Sequence, residues 1–168
     1  LAIVGFGQIG QYIGKIAQAF NMKLLYVDHE EKDTDLDAKK VTLEEALKEA
    51  DYVITQVNYN ETSHHLFGKK EFEQMKDTAY FINTARGGVV DESALVDALK
   101  NKQIQAAALD VHEEEPHINE ELVKLDNVIL TPHIGNDTYE ARNKMAEVAA
   151  DQAVKALTDA ELDYQVNK

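Results

Sequence analysis

Apolar and polar positions along this chain alternate between two periods, and the alternation repeats from one end to the other. An apolar run at Ala2–Val4 gives way to a helical pattern over Ile9–Phe20, with Ile9, Ile13, Ile16 and Phe20 on one face. Asn21 follows, a residue suited to a left-handed helix end. Lys23–Val27 reads as a second strand and Asp28–Lys39 as polar loop, with a short strand near Lys40 and Val41. Thr42-x-x-Glu45 is a capping box that opens a helix to about Ala50. Asp51–Gln56 reads as a strand, Lys69–Met75 as a short helix and Tyr80–Thr84 as a further strand. Asp91 caps a helix running through Lys100, Gln105–Val111 and Asn127–Leu130 are the last strands, and a long helix spans Thr138 to about Leu157. Seven strand candidates with short connections predict an α/β fold, a doubly wound parallel sheet with helices on both faces. Only Leu162–Lys168 stand outside the pattern.

A chain of 168 residues fits one domain by the usual prior of about 100–200 residues, and it can bury a core without staples. There are no cysteines, which excludes a disulfide scaffold and thiolate zinc sites. No apolar run approaches the roughly 20 residues of a membrane span. The formal charge of −14 disfavours nucleic acid and anionic membrane as partners, since both attract basic patches. These features predict a cytoplasmic protein. The first strand begins at residue 1, from which an upstream segment is expected.

The first strand runs into Gly5-Phe6-Gly7-Gln8-Ile9-Gly10, a G-x-G-x-x-G that precedes a helix. The glycines would serve a tight turn, close backbone approach to a pyrophosphate, and close helix–strand packing. The N–H groups of Gln8 and Ile9 would open the helix towards that anion. Asp28 stands 18 residues after Gly10 at the end of the second strand, where an acid bonds the two ribose hydroxyls of an adenosine. A carboxylate there repels a 2′-phosphate, so Asp28 predicts NAD over NADP.

Three later segments leave strands in the same direction, where open α/β sheets bind ligands. They are Asn83-Thr84-Ala85-Arg86-Gly87-Gly88, Leu109-Asp110-Val111-His112-Glu113-Glu114-Glu115-Pro116 and Thr131-Pro132-His133-Ile134-Gly135. A guanidinium, carboxylates and an imidazole thus converge on one rim. Glu113 and Glu114 read as solvated, His112 as packing, and His29, His64, His65 and His117 carry no recognisable spacing. A zinc helix fails because Pro116 takes the final position of H-E-x-x-H, so no metal is expected.

In their order, the glycine fingerprint, N-T-A-R-G-G, L-D-V-x-E-E-E-P and T-P-H-I-G resemble the D-isomer-specific 2-hydroxyacid dehydrogenases, particularly phosphoglycerate dehydrogenase and the glyoxylate/hydroxypyruvate reductases. The resemblance runs from Leu1 to about Asn167. It implies a Rossmann-type NAD-binding domain over residues 1–168, with 159–168 returning to a substrate domain whose N-terminal part is absent from this chain. It implies hydride transfer between NAD(H) and a small 2-oxo or D-2-hydroxy acid, and a homodimer formed through the cofactor domain. By the same resemblance Arg86 grips the substrate carboxylate and carbonyl, His133 donates the proton, and Glu115 pairs with that histidine. Asp110, Thr84 and Ala85 fall at the nicotinamide end, and Arg86, His133 and Gly135 count among the cofactor contacts as well. Val57, Asn58 and Thr62 fall along the adenosine and pyrophosphate, with Asn58 where the family usually has proline. Competing readings are a dinucleotide-sensing corepressor of the same fold and formate dehydrogenase; the latter has glutamine at the position of Glu115.

Overall fold

The computed structural model describes residues 1–158 and 160–165. The chain forms two compact units, Leu1–Pro132 and His133–Lys168. In the first, seven strands form one sheet in the order β3-β2-β1-β4-β5-β6-β7, and every pair is parallel. They are β1 (Ala2–Val4), β2 (Leu24–Val27), β3 (Ala38–Lys40), β4 (Tyr52–Thr55), β5 (Tyr80–Asn83), β6 (Ala106–Leu109) and β7 (Val128–Leu130). The helices between them are α1 (Gln8–Ala19), α2 (Leu43–Glu49), α3 (Lys69–Gln74), α4 (Glu92–Lys100) and α5 (Glu120–Val123). The α/β reading of the sequence holds. The strand order runs outward from β1 in both directions, so the chain's direction of travel reverses between β1 and β4. The C-terminal ends of these two strands therefore splay their loops apart and leave a crevice.

The central strands are apolar because both faces of the sheet are covered there, whereas the edge strand β3 is Ala-Lys-Lys and has no buried residue. In β1, Ala2 and Val4 belong to one core cluster while Ile3, between them, belongs to the other. Val53 and Ile54 of β4 divide in the same way. The larger cluster centres on Phe67, Phe72 and Phe81, all fully buried, with the Phe67 and Phe81 rings 4.9 Å apart and Phe72 edge-on to Phe81 at 5.3 Å. Truncating such a ring to alanine costs about 3–5 kcal/mol, so this trio is the main anchor of the α3–α4 side. On the opposite face Phe6 stacks on Tyr26 at 4.4 Å.

Helix α1 departs from a simple amphipathic reading. Ile9, Ile16 and Phe20 do share a face, but they are 66%, 48% and 76% exposed. The residues buried against the sheet are Gly10, Gly14 and Ala17, and of the expected face Ile13 is half-buried and packs on the cluster of Ile3, Phe6, Tyr26 and Ile54. A β-carbon on Gly10 would stand 2.4 Å from the Gly5 carbonyl oxygen, so at that position the backbones approach too closely for any side chain. At the other end Asn21 adopts φ 59°, the left-handed conformation expected of it. The Thr42–Glu45 capping box is present, and Asp91 accepts the Ala94 N–H at the start of α4.

In the second unit Thr138 caps α6 (Tyr139–Leu157), its hydroxyl accepting the Ala141 N–H at 3.1 Å. Lys155 pairs with Asp151 at 3.0 Å and with Asp163 at 2.5 Å. Of the segment 159–168 expected to return to a substrate domain, Asp159 and Val166–Lys168 lie outside the described residues. Among the described residues no helix is long and apolar enough to cross a membrane.

Candidate functional site

The crevice at the ends of β1 and β4 is a cleft of about 440 Å³, within the usual range for small-molecule sites of about 300–1,000 Å³. Gly5 forms its floor. The residue has φ +94°, and a β-carbon there would press to 2.5 Å from the Gln56 carbonyl oxygen, so only glycine fits this turn. Gly7 is the N-cap of α1, has no side chain to cap the helix, and faces open space. The amide donors of the first turn, at Gln8 and Ile9, are thus left available to an anion.

Asp28 lines the cleft from the end of β2. Its Oδ2 accepts the Phe6 N–H at 2.9 Å, and its Oδ1 accepts the Glu30 N–H at 3.3 Å and stands 3.1 Å from Lys32 Nζ. Burial works to raise this carboxyl, but the Phe6 N–H, the Lys32 ammonium and the Glu30 N–H outweigh it and hold it below the ordinary aspartate value. Val57, Asn58 and Thr62, in the loop after β4, also line the cleft. A close-approach glycine, uncapped amides and an ionised acid at the end of β2 are the groups a dinucleotide requires, so the cleft fits NAD.

Along the same sheet edge lie the loops after β5 and β6. Asn83, 1% exposed, organises the first of them: its Oδ1 accepts the Ala85 N–H and its Nδ2 donates to the Arg86 carbonyl, both at 3.0 Å. Thr84 accepts a hydrogen bond from Gln56 Nε2, tying this loop to the one after β4. The Arg86 side chain is exposed and donates from Nη1 to the Ala85 carbonyl at 2.6 Å. Asp110 accepts the Thr131 hydroxyl at 2.5 Å. Glu115 Oε1 accepts the His112 N–H at 3.0 Å. Arg86, Asp110 and Glu115 thus share the strand-end rim of the first unit, while His133, with φ 56°, and Gly135 begin the second.

Several residues matter more than their sequence context suggests. Glu113 is not simply solvated. Its Oε1 meets His65 Nε2 at 2.5 Å, its N–H donates to Glu92 at 2.9 Å, and its other oxygen accepts the Glu92 N–H at 3.4 Å. His65 in turn stacks on His64 and donates its N–H to the Gly88 carbonyl at 2.9 Å. His112 is buried, as packing predicts, and its Nε2 also bonds the Thr131 carbonyl at 3.0 Å. These contacts bridge 19 and 48 positions along the chain, so no local spacing signals them. Lys32, four residues after Asp28, does carry a local signal.

Residues 1–135 match the family model for the D-isomer specific 2-hydroxyacid dehydrogenase NAD binding domain. A protein of Staphylococcus aureus (strain MRSA252) bearing a provisional 2-hydroxyacid dehydrogenase name is 45% identical over 170 residues, covering 99% of this chain and 54% of its own length. The chain therefore spans about half the length of that relative. A glyoxylate reductase from Paecilomyes thermophila superposes with a TM-score of 0.93 at 34% identity, covering 99% of this chain and 51% of that one. A D-lactate dehydrogenase with NAD+ from Lactobacillus jensenii does so with 0.91 at 26% identity, covering 99% and 55%. These relatives are oxidoreductases, which disfavours the corepressor reading. The chain belongs to the D-isomer-specific 2-hydroxyacid dehydrogenase family, as its NAD-binding domain.

Proposed function

We propose that this protein interconverts a small 2-oxo acid and its D-2-hydroxy acid. When bound, the nicotinamide cofactor supplies or accepts the hydride at the substrate's C2. The chain's own residues handle charge and protons. Reducing a ketone leaves an alkoxide that needs a proton from a positioned acid, and His133 fills that role. Glu115 is assigned as the carboxylate partner of that acid. Arg86 cannot lose its charge, and its planar fork suits a substrate carboxylate while polarising the adjacent carbonyl. Thr84, Ala85 and Asp110 serve the nicotinamide end of the cofactor, and Gly135 is a further cofactor contact. Gly5, Gly7, Gln8, Ile9, Gly10, Asp28, Val57, Asn58 and Thr62 serve its pyrophosphate and adenosine.

The observation that supports this reading is the common edge. The cleft after β1 and β4, the Arg86 loop after β5 and the Glu115 loop after β6 all issue from the C-terminal ends of parallel strands. We extend the reading to a cytoplasmic homodimer joined through the cofactor domain. Ile9, Tyr12, Ile16 and Phe20 support it, forming an exposed apolar stripe along α1. The catalytic assignment is tested by His133→Ala in the full-length protein. Turnover of a 2-oxo acid should collapse while NADH affinity stays nearly intact. Surviving turnover would show that another group is the acid.

A further inference from the structure

The turn that carries Arg86 is held by a residue of the loop after β6. Gly87 lies against that loop backbone to backbone: a β-carbon on it would stand 1.9 Å from the His112 carbonyl oxygen and 2.5 Å from the Glu113 nitrogen. The Glu113 N–H donates to Glu92 Oε1 at 2.9 Å, and Glu113 Oε2 accepts the Glu92 N–H at 3.4 Å. Glu92 opens α4 at the far end of the Arg86 turn and is buried. The other carboxylate oxygen of Glu113, Oε1, stands 2.5 Å from His65 Nε2, and His65 donates its backbone N–H to the Gly88 carbonyl at 2.9 Å. Glu113 therefore fastens the chain that follows Arg86 at two points, directly at Glu92 and through His65 at Gly88.

Two features set this arrangement apart from an ordinary surface ion pair. His65 has φ 48°, a left-handed conformation that residues other than glycine seldom adopt and that gathers at functional sites. The His65 and Glu113 side chains are 36% and 32% exposed, so water screens the contact only in part. The Arg86 guanidinium, by contrast, is exposed and bonds the neighbouring Ala85 carbonyl, so its aim follows the backbone of its own turn. Asn83 fixes that backbone from the sheet. Glu113 fixes what comes after it.

We propose that Glu113 is a positioning residue for Arg86, acting through His65 and Glu92 to keep the guanidinium where the carboxylate of the 2-oxo acid binds. The proposal rests on the assignment of Arg86 as the group that takes that carboxylate. A displacement of about 1 Å at such a group is enough to cost up to about 100-fold in rate.

The test is steady-state reduction of glyoxylate and of pyruvate by NADH with the full-length protein. It compares the native protein with Glu113→Ala, Glu113→Gln and His65→Asn, and uses Arg86→Lys as reference. Asparagine accepts the left-handed backbone at position 65 but is too short to reach Glu113. Glu113→Ala and His65→Asn should each raise the KM for the 2-oxo acid about tenfold, with kcat and the NADH Kd little changed. Glu113→Gln keeps an acceptor for His65 and should stay close to native. A fold defect removes active sites, which lowers the apparent kcat and leaves KM alone, so a rise in KM reports lost substrate binding. Combined with Arg86→Lys, Glu113→Ala should add almost nothing to KM, because its effect passes through the arginine. The proposal is overturned if KM stays native in Glu113→Ala and His65→Asn, or if Glu113→Ala raises KM as much with Arg86→Lys as without it. If the native protein reduces neither acid, or Arg86→Lys alone leaves KM native, the reading of the site falls, and the positioning role with it.

Discussion

The buried amide of Asn83 holds the backbone of Arg86 from below, its Nδ2 donating to the Arg86 carbonyl at 3.0 Å while its Oδ1 takes the Ala85 N–H. Asn83 ends β5 and is 1% exposed, so the loop that presents the guanidinium is fixed to the sheet by one side chain. Removing it leaves the Ala85 N–H and the Arg86 carbonyl without these partners. Asn83→Ala should cost about 2–3 kcal/mol of stability, the range for stranding buried polar groups, measured by urea unfolding. Turnover in the full-length protein should fall with it, because Arg86 loses its fixed orientation. A variant of native stability would show that the turn holds its own shape.

Two glycines on the rim make opposite predictions. At Gly87 an added β-carbon would stand 1.9 Å from the His112 carbonyl oxygen, and backbone must shift to admit it. Gly87→Ala should destabilise the protein by about 3 kcal/mol, at the upper end of ordinary overpacking. At Gly7 a β-carbon meets nothing within 4 Å, and φ is an ordinary −73°. Gly7→Ala should leave stability within about 0.5 kcal/mol of native. It should nevertheless weaken NADH about 10- to 100-fold, because the new methyl occupies space meant for the pyrophosphate. Thermal melts and NADH titration on the same two variants separate the effects. Unchanged NADH affinity in Gly7→Ala would place the pyrophosphate elsewhere.

What was legible in the sequence was what local periodicity controls. Helix α4 begins and ends as read because Asp91 caps it and Asn101 stops it. Apart from β3, which is Ala-Lys-Lys, the strands are mostly apolar runs with turn residues at their ends, and their boundaries fall within a residue or two of the reading. Helix α5 escaped notice because it is a single turn inside an acidic stretch, its only cue being Asn119, whose side chain accepts the Glu121 N–H. Periodicity placed Ile9, Ile13, Ile16 and Phe20 on one face but could not say which of them packs; Ile13 turns to the core, beside the glycines that draw the helix close to the sheet, while the other three stay exposed. The His65–Glu113 contact joins two strand-end loops 48 residues apart, and such pairings belong to topology alone.

That outward stripe gives a prediction of its own. Phe20 is 76% exposed at the C-terminal end of α1, with Tyr12 66% exposed two turns earlier. If α1 lies in a dimer interface, Phe20→Glu should shift the full-length protein from dimer to monomer in sedimentation at micromolar concentration. A charge buried in an interface is strongly disfavoured unless it finds a partner. The fold should tolerate the change, because Phe20 contributes little to either core cluster. A dimer that survives this substitution and Tyr12→Glu together would place the interface on another face.

Glu121 offers a test by pH. It joins α5 to α4, with Oε2 at 2.6 Å from Lys100 Nζ and Oε1 at 2.6 Å from Lys124 Nζ. The hydrogen bond from Lys100, then that from Lys124, lowers its carboxyl from the ordinary 4.5 to about 2. A depressed carboxyl binds fewer protons in the folded than in the unfolded state, so folding loses stability as protons are added. The contribution is whole above about pH 4.5 and drains away as pH falls towards 2. Glu121→Gln has no such titration. The difference in Tm between native protein and Glu121→Gln should therefore favour the native protein at neutral pH and shrink between pH 4.5 and 2. Because the group is exposed, raising the salt should shrink it as well. A Tm difference that stays constant through that window would mean that the two lysines do not hold Glu121 in solution.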